Sequence, residues 1–341
     1  MKVLAFTNVK IKRDRIDMKR REFLKLGAEF LVVCAGTGLG PLLARRRQIY
    51  RKTMPLMGTI GDIQVVHDDA ATAYRAIDRA FEELLRLEEQ LSFFKPDSDV
   101  GRINRGAYAK PVKISHETGL LVQQALHWSR VTGGLFEPGL GKVTDVWDVK
   151  HRTEPPEEYS WKRLAGREFY KKIRVDLSAD HAWVRFLSSD VKIDLGGIAK
   201  GYAADRARFV LRENGIDQAL INLGGDVAAL GSKDSDAWKI GIRDPGRPSE
   251  ITRVLSLKNQ AVATSGTYEQ YFIFNGHLYH HLIDPRRAQP GPEGFRSLTI
   301  MTEACRDADA LATGLFFVDD DGTRRILDGA VERADWIRLN A

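Results

Sequence analysis

The chain has 341 residues, with 52 Lys/Arg against 46 Asp/Glu, 43% hydrophobic residues and two cysteines, Cys34 and Cys305. This composition fits a globular body of one large or two coupled domains, and it excludes a disordered tail, a fibrous repeat, a polytopic membrane protein, a disulfide framework and an all-cysteine metal site. The net charge of +6 is unevenly placed: residues 1–52 hold 14 basic and 4 acidic side chains, and the body from 53 to 341 holds 38 and 42, so a nucleic-acid role loses the basic face it needs.

In chain order, the first feature is Lys19-Arg20-Arg21-Glu22-Phe23-Leu24-Lys25, which resembles a twin-arginine export signal. A weakly apolar stretch from Leu26 to Ala44 and then Arg45-Arg46-Arg47 complete the layout of a targeting segment over residues 1–52. Gly27, Gly36, Gly38, Gly40 and Glu29 make the stretch weak for a membrane anchor, which is the alternative. Met18 directly precedes the motif and is a candidate natural start. Cys34 follows Val33 rather than a small residue, so it makes a poor lipidation site. Export places the protein in the periplasm or at the outer face of the inner membrane.

The body from 53 to 341 alternates long helices with strands in no regular order, which predicts an α+β fold. Apolar residues at three- and four-residue spacing predict helices over Asp68–Leu91, Ser115–Val131 (capped by Ser115, stopped by Gly133-Gly134), Gly201–Asn214 and Asp307–Val318. Strands are expected at Ile63–Val66, Lys172–Asp176, Val191–Leu195, Ala219–Leu223, Trp238–Arg243, Val254–Leu257, Tyr271–Phe274 and Ser297–Met301. Thr153 to Lys172, rich in Pro and charge, reads as an exposed excursion, and Asp319-Asp320-Asp321-Gly322 reads as a turn.

Three segments carry chemistry. In the first, a strand delivers Asp194 to Gly196-Gly197, and Lys200 opens a helix; bare backbone there can approach an anion or offer a carbonyl to a metal, or form a plain strand–turn–helix corner. It is neither a P-loop nor a dinucleotide fingerprint. The second is Ala308-Asp309-Ala310-Leu311-Ala312-Thr313. Asp309 and Thr313 share one helix face, and carboxylate plus hydroxyl is the hard-oxygen chemistry that magnesium uses; an Asp–backbone hydrogen bond is the alternative. The third is Tyr279-His280-His281-Leu282-Ile283-Asp284-Pro285. There His281 and Asp284 can act as a base and its orienter, or serve structure alone. Zinc is not expected: of the eight histidines only His277 and His281 stand four apart, in a strand-like run and not on a helix, where that spacing would bring both rings to one face.

Taken with Met57-Gly58-Thr59, Ser92 to Ser98, Phe136-Glu137-Pro138, Asn222-Leu223-Gly224-Gly225-Asp226 and Ala263 to Tyr268, these segments resemble the FAD:protein FMN transferase (ApbE) family over about residues 54–320. The resemblance implies a T-fold-like α+β architecture. It implies FAD as substrate, magnesium as cofactor, and an acceptor flavoprotein whose threonine receives FMN while AMP leaves. The same resemblance implies a membrane-associated redox partner. Asp309 and Thr313 match the metal ligands, joined by a main-chain oxygen near Gly197. Met57, Phe94, Leu135, Phe136, Glu137, Asp194, Lys200 and Ile283 match FAD-contacting positions, and His281 and Asp284 match the pair near the reacting phosphate. Glu137, Lys142, Thr267 and Ala288 depart from the usual Asp, Pro, Asp and Gly. Two competing expectations are an FAD pyrophosphatase on the same scaffold and a non-catalytic flavin-binding protein.

Overall fold

The computed structural model describes residues 47–340 apart from 234, 248, 292 and 293. The twin-arginine motif, Met18 and Cys34 lie outside the described residues.

A seven-stranded antiparallel sheet organises the molecule. Its strands are β1 (Gln48–Leu56), β2 (Thr59–His67), β6 (Ala219–Leu223), β7 (Asp226–Leu230), β10 (Ala261–Gly266), β15 (Phe295–Thr302) and β16 (Asp335–Asn340), in that spatial order. β1 begins at Gln48, five residues before the boundary at 53 expected for the body.

Helices cover one face of this sheet. α1 (Ala70–Leu91) buries Ala73, Ile77, Ala80, Phe81, Leu84, Leu87 and Leu91, the stripe its spacing predicts, and Asp69 caps it by accepting from the Thr72 N–H at 2.8 Å. Beside it lie α6 (Ala199–Glu213) and α7 (Cys305–Gly314). The hairpin of β8 (Trp238–Arg243) and β9 (Ile251–Leu257) covers part of the other face, where Trp238, Ile242, Leu255 and Leu257 pack on Val66, Leu220, Val227, Ala229 and Val262. Strands β6 and β7 are therefore apolar on both sides, which explains their near-continuous Ala/Val/Leu/Ile runs.

A second sheet orders β3 (Val112–Ser115), β5 (His181–Phe186) and β4 (Ile173–Leu177). Helix α3 (His116–Val131) lies on it, capped by Ser115 as expected, and Gly133 and Gly134 at φ 62° and 85° stop it. Helix α2 (Asp99–Gly106) joins α1 to this layer.

Four local expectations are corrected. Val191–Leu195 forms no strand; it runs extended with one isolated bridge from Lys192 to Leu140. The Thr153–Lys172 excursion is partly built in: it holds α5 (Glu158–Lys162) and a 3-10 turn (Phe169–Lys172), and Leu164 and Phe169 are buried. Asp319 is not in a turn but caps α8 (Asp320–Ala330), accepting from the Gly322 N–H at 2.8 Å. The helix bearing Asp309 runs Cys305–Gly314, so it starts two residues earlier and ends four residues earlier than the pattern implies.

Gly201 fixes how closely α6 and α7 approach. A Cβ there would lie 2.4 Å from the Cys305 carbonyl oxygen and 2.8 Å from the Arg306 Cα, so the contact is backbone on backbone. Gly201→Ala is expected to lower stability by about 1–3 kcal/mol, the usual cost of overpacking. Unchanged thermal unfolding in that variant would show that the helices part freely.

His280, at 2% exposure, is buried against the Phe316 ring, and neither ring nitrogen makes a hydrogen bond among the described residues. Burial, helped by the charge of His281, holds its pKa down to about 4. The unfolded chain takes up this proton near 6.5 and the folded chain only near 4, so the stability tied to neutral His280 is complete above 6.5 and lost as pH falls towards 4. The unfolding free energy across that range should fall further for the wild type than for His280→Leu, by an amount on the order of 3 kcal/mol. Parallel pH profiles would contradict this.

Candidate functional site

The site forms at one end of the large sheet, where two glycine turns meet. Met57 and Gly58, at φ 49° and 71°, make the two-residue turn between β1 and β2. A non-glycine residue held in the left-handed region is strained, which marks Met57 as more than a spacer. The β6–β7 turn packs on it: a Cβ on Gly224 would sit 2.4 Å from the Thr59 Oγ1, and the Gly224 N–H donates to the Ile60 carbonyl at 3.3 Å. Asn222 Oδ1 accepts from the Gly225 N–H at 2.9 Å and closes the turn. Asp226 emerges from it buried, at the start of β7.

The Gly196-Gly197 corner approaches from the other side. Asp194 shapes it: its Oδ1 accepts from the Gly196 N–H at 2.9 Å and its Oδ2 from the Thr144 hydroxyl at 3.2 Å. Asn104 braces the strand-like approach, accepting from the Ile193 N–H at 2.7 Å and donating to the Ile193 carbonyl at 2.8 Å. Gly197 then lies against α7, where a Cβ would be 2.9 Å from the Thr313 Oγ1 and 3.2 Å from the Phe136 ring. Thr313 has the Ser265 hydroxyl of β10 at 3.3 Å. Asp309, one turn earlier, accepts from the Gly201 N–H at 3.0 Å through Oδ2. That carboxylate serves a helix N-terminus that has no side-chain cap of its own.

Lys200 stands at the centre. Its ammonium contacts Asp226 in an ion pair and lies 3.8 Å from Asp309 Oδ1. The Lys200 side chain keeps 28% of its surface open to solvent, whereas Asp226 and Asp309 keep 3% and 5%, so Lys200 is the solvent-facing member of the cluster with the carboxylates buried beneath it. Burial alone would lower Lys200, but Asp226 and then Asp309 outweigh it and hold the ammonium firmly charged. Burial raises Asp226 too, yet the ammonium in contact makes it the ionised partner. Asp309, farther from Lys200, is raised by burial and by the charge of Asp226. Glu269, next to β10, is raised to about 7, mainly by burial, and feels Lys200 and Asp226. Two buried carboxylates thus share one ammonium, with the exposed Glu269 outside their contact.

His281 also faces this cluster. Burial and the charge of Lys200 bring its pKa down to about 4, so the ring is unprotonated at neutral pH and open to accept a proton. Its Nδ1 lies 3.4 Å from the Gln270 carbonyl. The expected pairing with Asp284 is absent: Asp284 is bound to Arg286, through Oδ1 to the backbone N–H and Nε at 3.0 Å each and through Oδ2 at 2.9 Å. Asp284 instead builds the turn between β13 (Ile283–Asp284) and β14 (Gln289–Pro290), in which Ala288 takes φ 52°, the conformation that favours Gly at this position. Ile283 lies half-buried on β13 opposite Pro290.

The remaining sequence candidates fall into two groups. Phe94 is 83% exposed and edges the Phe93 ring, free to receive a ligand. Leu135 is half-buried. Phe136 and Glu137 are structural in their side chains. Phe136 is buried between Gly197 and Gly314. Glu137 accepts from the Gly139 N–H at 2.9 Å and the Tyr170 N–H at 3.1 Å, and burial raises it to about 7. The direct FAD contact expected of Glu137 is therefore not supported by its carboxylate, which is already committed. Asn104, Asp226, Ser265 and Glu269 were not singled out by side chain. Asp226 ends a recognised glycine motif that draws attention to backbone, and that motif was its only signal.

Comparison with known proteins places the chain in a family. The ApbE family profile matches residues 57–334. A Treponema pallidum protein named FAD:protein FMN transferase is 32% identical over 303 residues, covering 84% of this chain and 83% of the relative. A Klebsiella pneumoniae protein of the same name is 31% identical over 271 residues, covering 79% and 82%. The crystal structure of an ApbE protein from Thermotoga maritima superposes with a TM-score of 0.77 at 31% identity, over 86% of this chain and 94% of that one. On the profile match and these relatives, the chain belongs to the ApbE family.

Proposed function

We propose that the protein transfers FMN from FAD to a threonine hydroxyl of an acceptor flavoprotein, releasing AMP, with magnesium required. The observation that carries this reading is the meeting of Asp309 and Thr313, one helical turn apart, with Gly197 and Lys200 at one corner. Curated relatives above 30% identity bear the corresponding name.

The residues present fit a magnesium ion. Among the described residues no group of three or more His, Cys, Asp or Glu side chains has metal-holding geometry. The fitting donors are the Asp309 carboxylate, the Thr313 hydroxyl and a main-chain oxygen at Gly197, leaving places for phosphate oxygens and water. Magnesium bound there would neutralise charge on the pyrophosphate. Two buried carboxylates against one ammonium leave room for a cation beside Asp309.

The chain's own groups supply the rest. Lys200 places positive charge beside the phosphates, and exposed Phe94 offers a face for the flavin. Neutral His281 takes the proton of the threonine hydroxyl as its oxygen attacks the FMN phosphorus. The new ester bond forms there, the pyrophosphate P–O bond breaks, and AMP leaves with the electron pair. Pyrophosphatase activity is the same displacement with water as nucleophile.

Export by a twin-arginine signal, and work at the periplasmic side beside a membrane redox partner, belong to the same proposal. They rest on the N-terminal motif; among the described residues no helix is long and apolar enough to cross a membrane.

Incubation with FAD, magnesium and a candidate acceptor distinguishes the outcomes. In-gel flavin fluorescence on the acceptor supports transfer, FMN and AMP without it means hydrolysis, and unchanged FAD means binding alone. Asp309→Ala should abolish turnover at low magnesium; wild-type rates would remove Asp309 from the metal site. His281→Ala should lower kcat by roughly 10²–10⁴-fold while FAD binding persists, as for loss of a general base. An unaltered kcat would exclude that role.

A further inference from the structure

Helix α7 carries Asp309 and Thr313, yet its own N-cap cannot hold it. Ala304 stands at the cap with no side-chain acceptor, which leaves the first backbone N–H groups of the helix without an internal partner. A residue of α6 supplies what is missing. Asp205 accepts from the Cys305 N–H through Oδ1 and from the Arg306 N–H through Oδ2, both at 3.0 Å. Its side chain is only 11% exposed and is paired with Arg208 at 2.8 Å. Arg208 in turn donates twice to the Glu303 carbonyl, at 3.1 Å each, and so grips the residue ahead of the cap.

The link is reciprocal. Gly201 of α6 donates its N–H to Asp309 of α7, and Asp205 of α6 accepts from the start of α7. The two links are four residues apart on each helix, with the close Gly201–Cys305 contact between them. Together they fix the axial position of α7 against α6, and with it the approach of Thr313 to Gly197.

We infer that Asp205 is a positioning residue for the magnesium site: it sets the register of α7 so that Asp309 and Thr313 meet the Gly197 corner. The inference rests on the metal reading proposed above. Magnesium tolerates little departure from octahedral geometry, so a small slide of α7 costs affinity before it costs fold. A simple helix cap would contribute only about 1 kcal/mol of stability and leave the metal untouched.

Magnesium affinity by calorimetry, alongside the magnesium dependence of turnover, tests this in the wild type, Asp205→Ala, Asp205→Asn and Asp309→Ala. Asp205→Ala should weaken magnesium binding by about tenfold or more, as when a partner orienting a ligand is lost, with kcat at saturating magnesium near that of the wild type. Asp205→Asn keeps one acceptor oxygen and should fall between the two. Wild-type affinity in Asp205→Ala overturns the inference, whatever happens to its melting temperature. Should that variant not fold, wild-type affinity in Asp205→Asn overturns it instead. If Asp309→Ala binds magnesium as the wild type does, the metal reading itself fails; if Asp309→Ala abolishes binding while the Asp205 variants match the wild type, only the role of Asp205 fails.

Discussion

Carboxylates shielded from water cannot remain charged at close quarters without a cation among them. Asp226 and Asp309 flank a single ammonium, that of Lys200, and Asp226 already holds it in direct contact. Stripping a carboxylate of its water costs several kcal/mol unless something repays it. For Asp309 the protein offers one backbone N–H and a lysine at 3.8 Å, which leaves its carboxyl raised well above the ordinary range. A divalent cation resolves this frustration, and the phosphates of a dinucleotide complete the cation's surroundings. The chemistry proposed for the site follows from that imbalance of charge.

The fold is arranged to create the imbalance in one place. Glycines do much of the work where backbones must touch: Gly224 against Thr59, Gly197 against Thr313, Gly201 against Cys305. These contacts draw two turns of the large sheet, the N-terminus of α6 and the body of α7 into a single corner. A side chain at any of the three positions would open the corner. The strained backbone at Met57 sits at the same end of the sheet, in keeping with strain collecting where function does.

Much of this was legible in the sequence. The stripe from Ala73 to Leu91 declared its helix because one face is core and the other solvent. The Asp309–Thr313 pair was visible because an acid and a hydroxyl stand out in an Ala/Leu helix that packs deeply. Tertiary facts were not legible. Val191–Leu195 has a strand's composition but no neighbouring strand to pair with, since Asn104 and Pro138 take up its backbone groups. His281 and Asp284 are close in sequence, yet Arg286 lies nearer in the turn and claims the carboxylate. Asp319 looked like a turn because Asp-rich runs favour both turns and helix caps, and only the following helix decides between them. Glu137 looked like a ligand contact, but two backbone N–H groups occupy it.

The most direct test of the central claim is anomalous diffraction from crystals soaked with manganese and FAD. The account predicts a single strong peak bounded by the Asp309 carboxylate, the Thr313 hydroxyl and the Gly197 carbonyl, with the dinucleotide's phosphates beside it. FAD density with no metal at these residues, or a peak bound elsewhere in the chain, would contradict it.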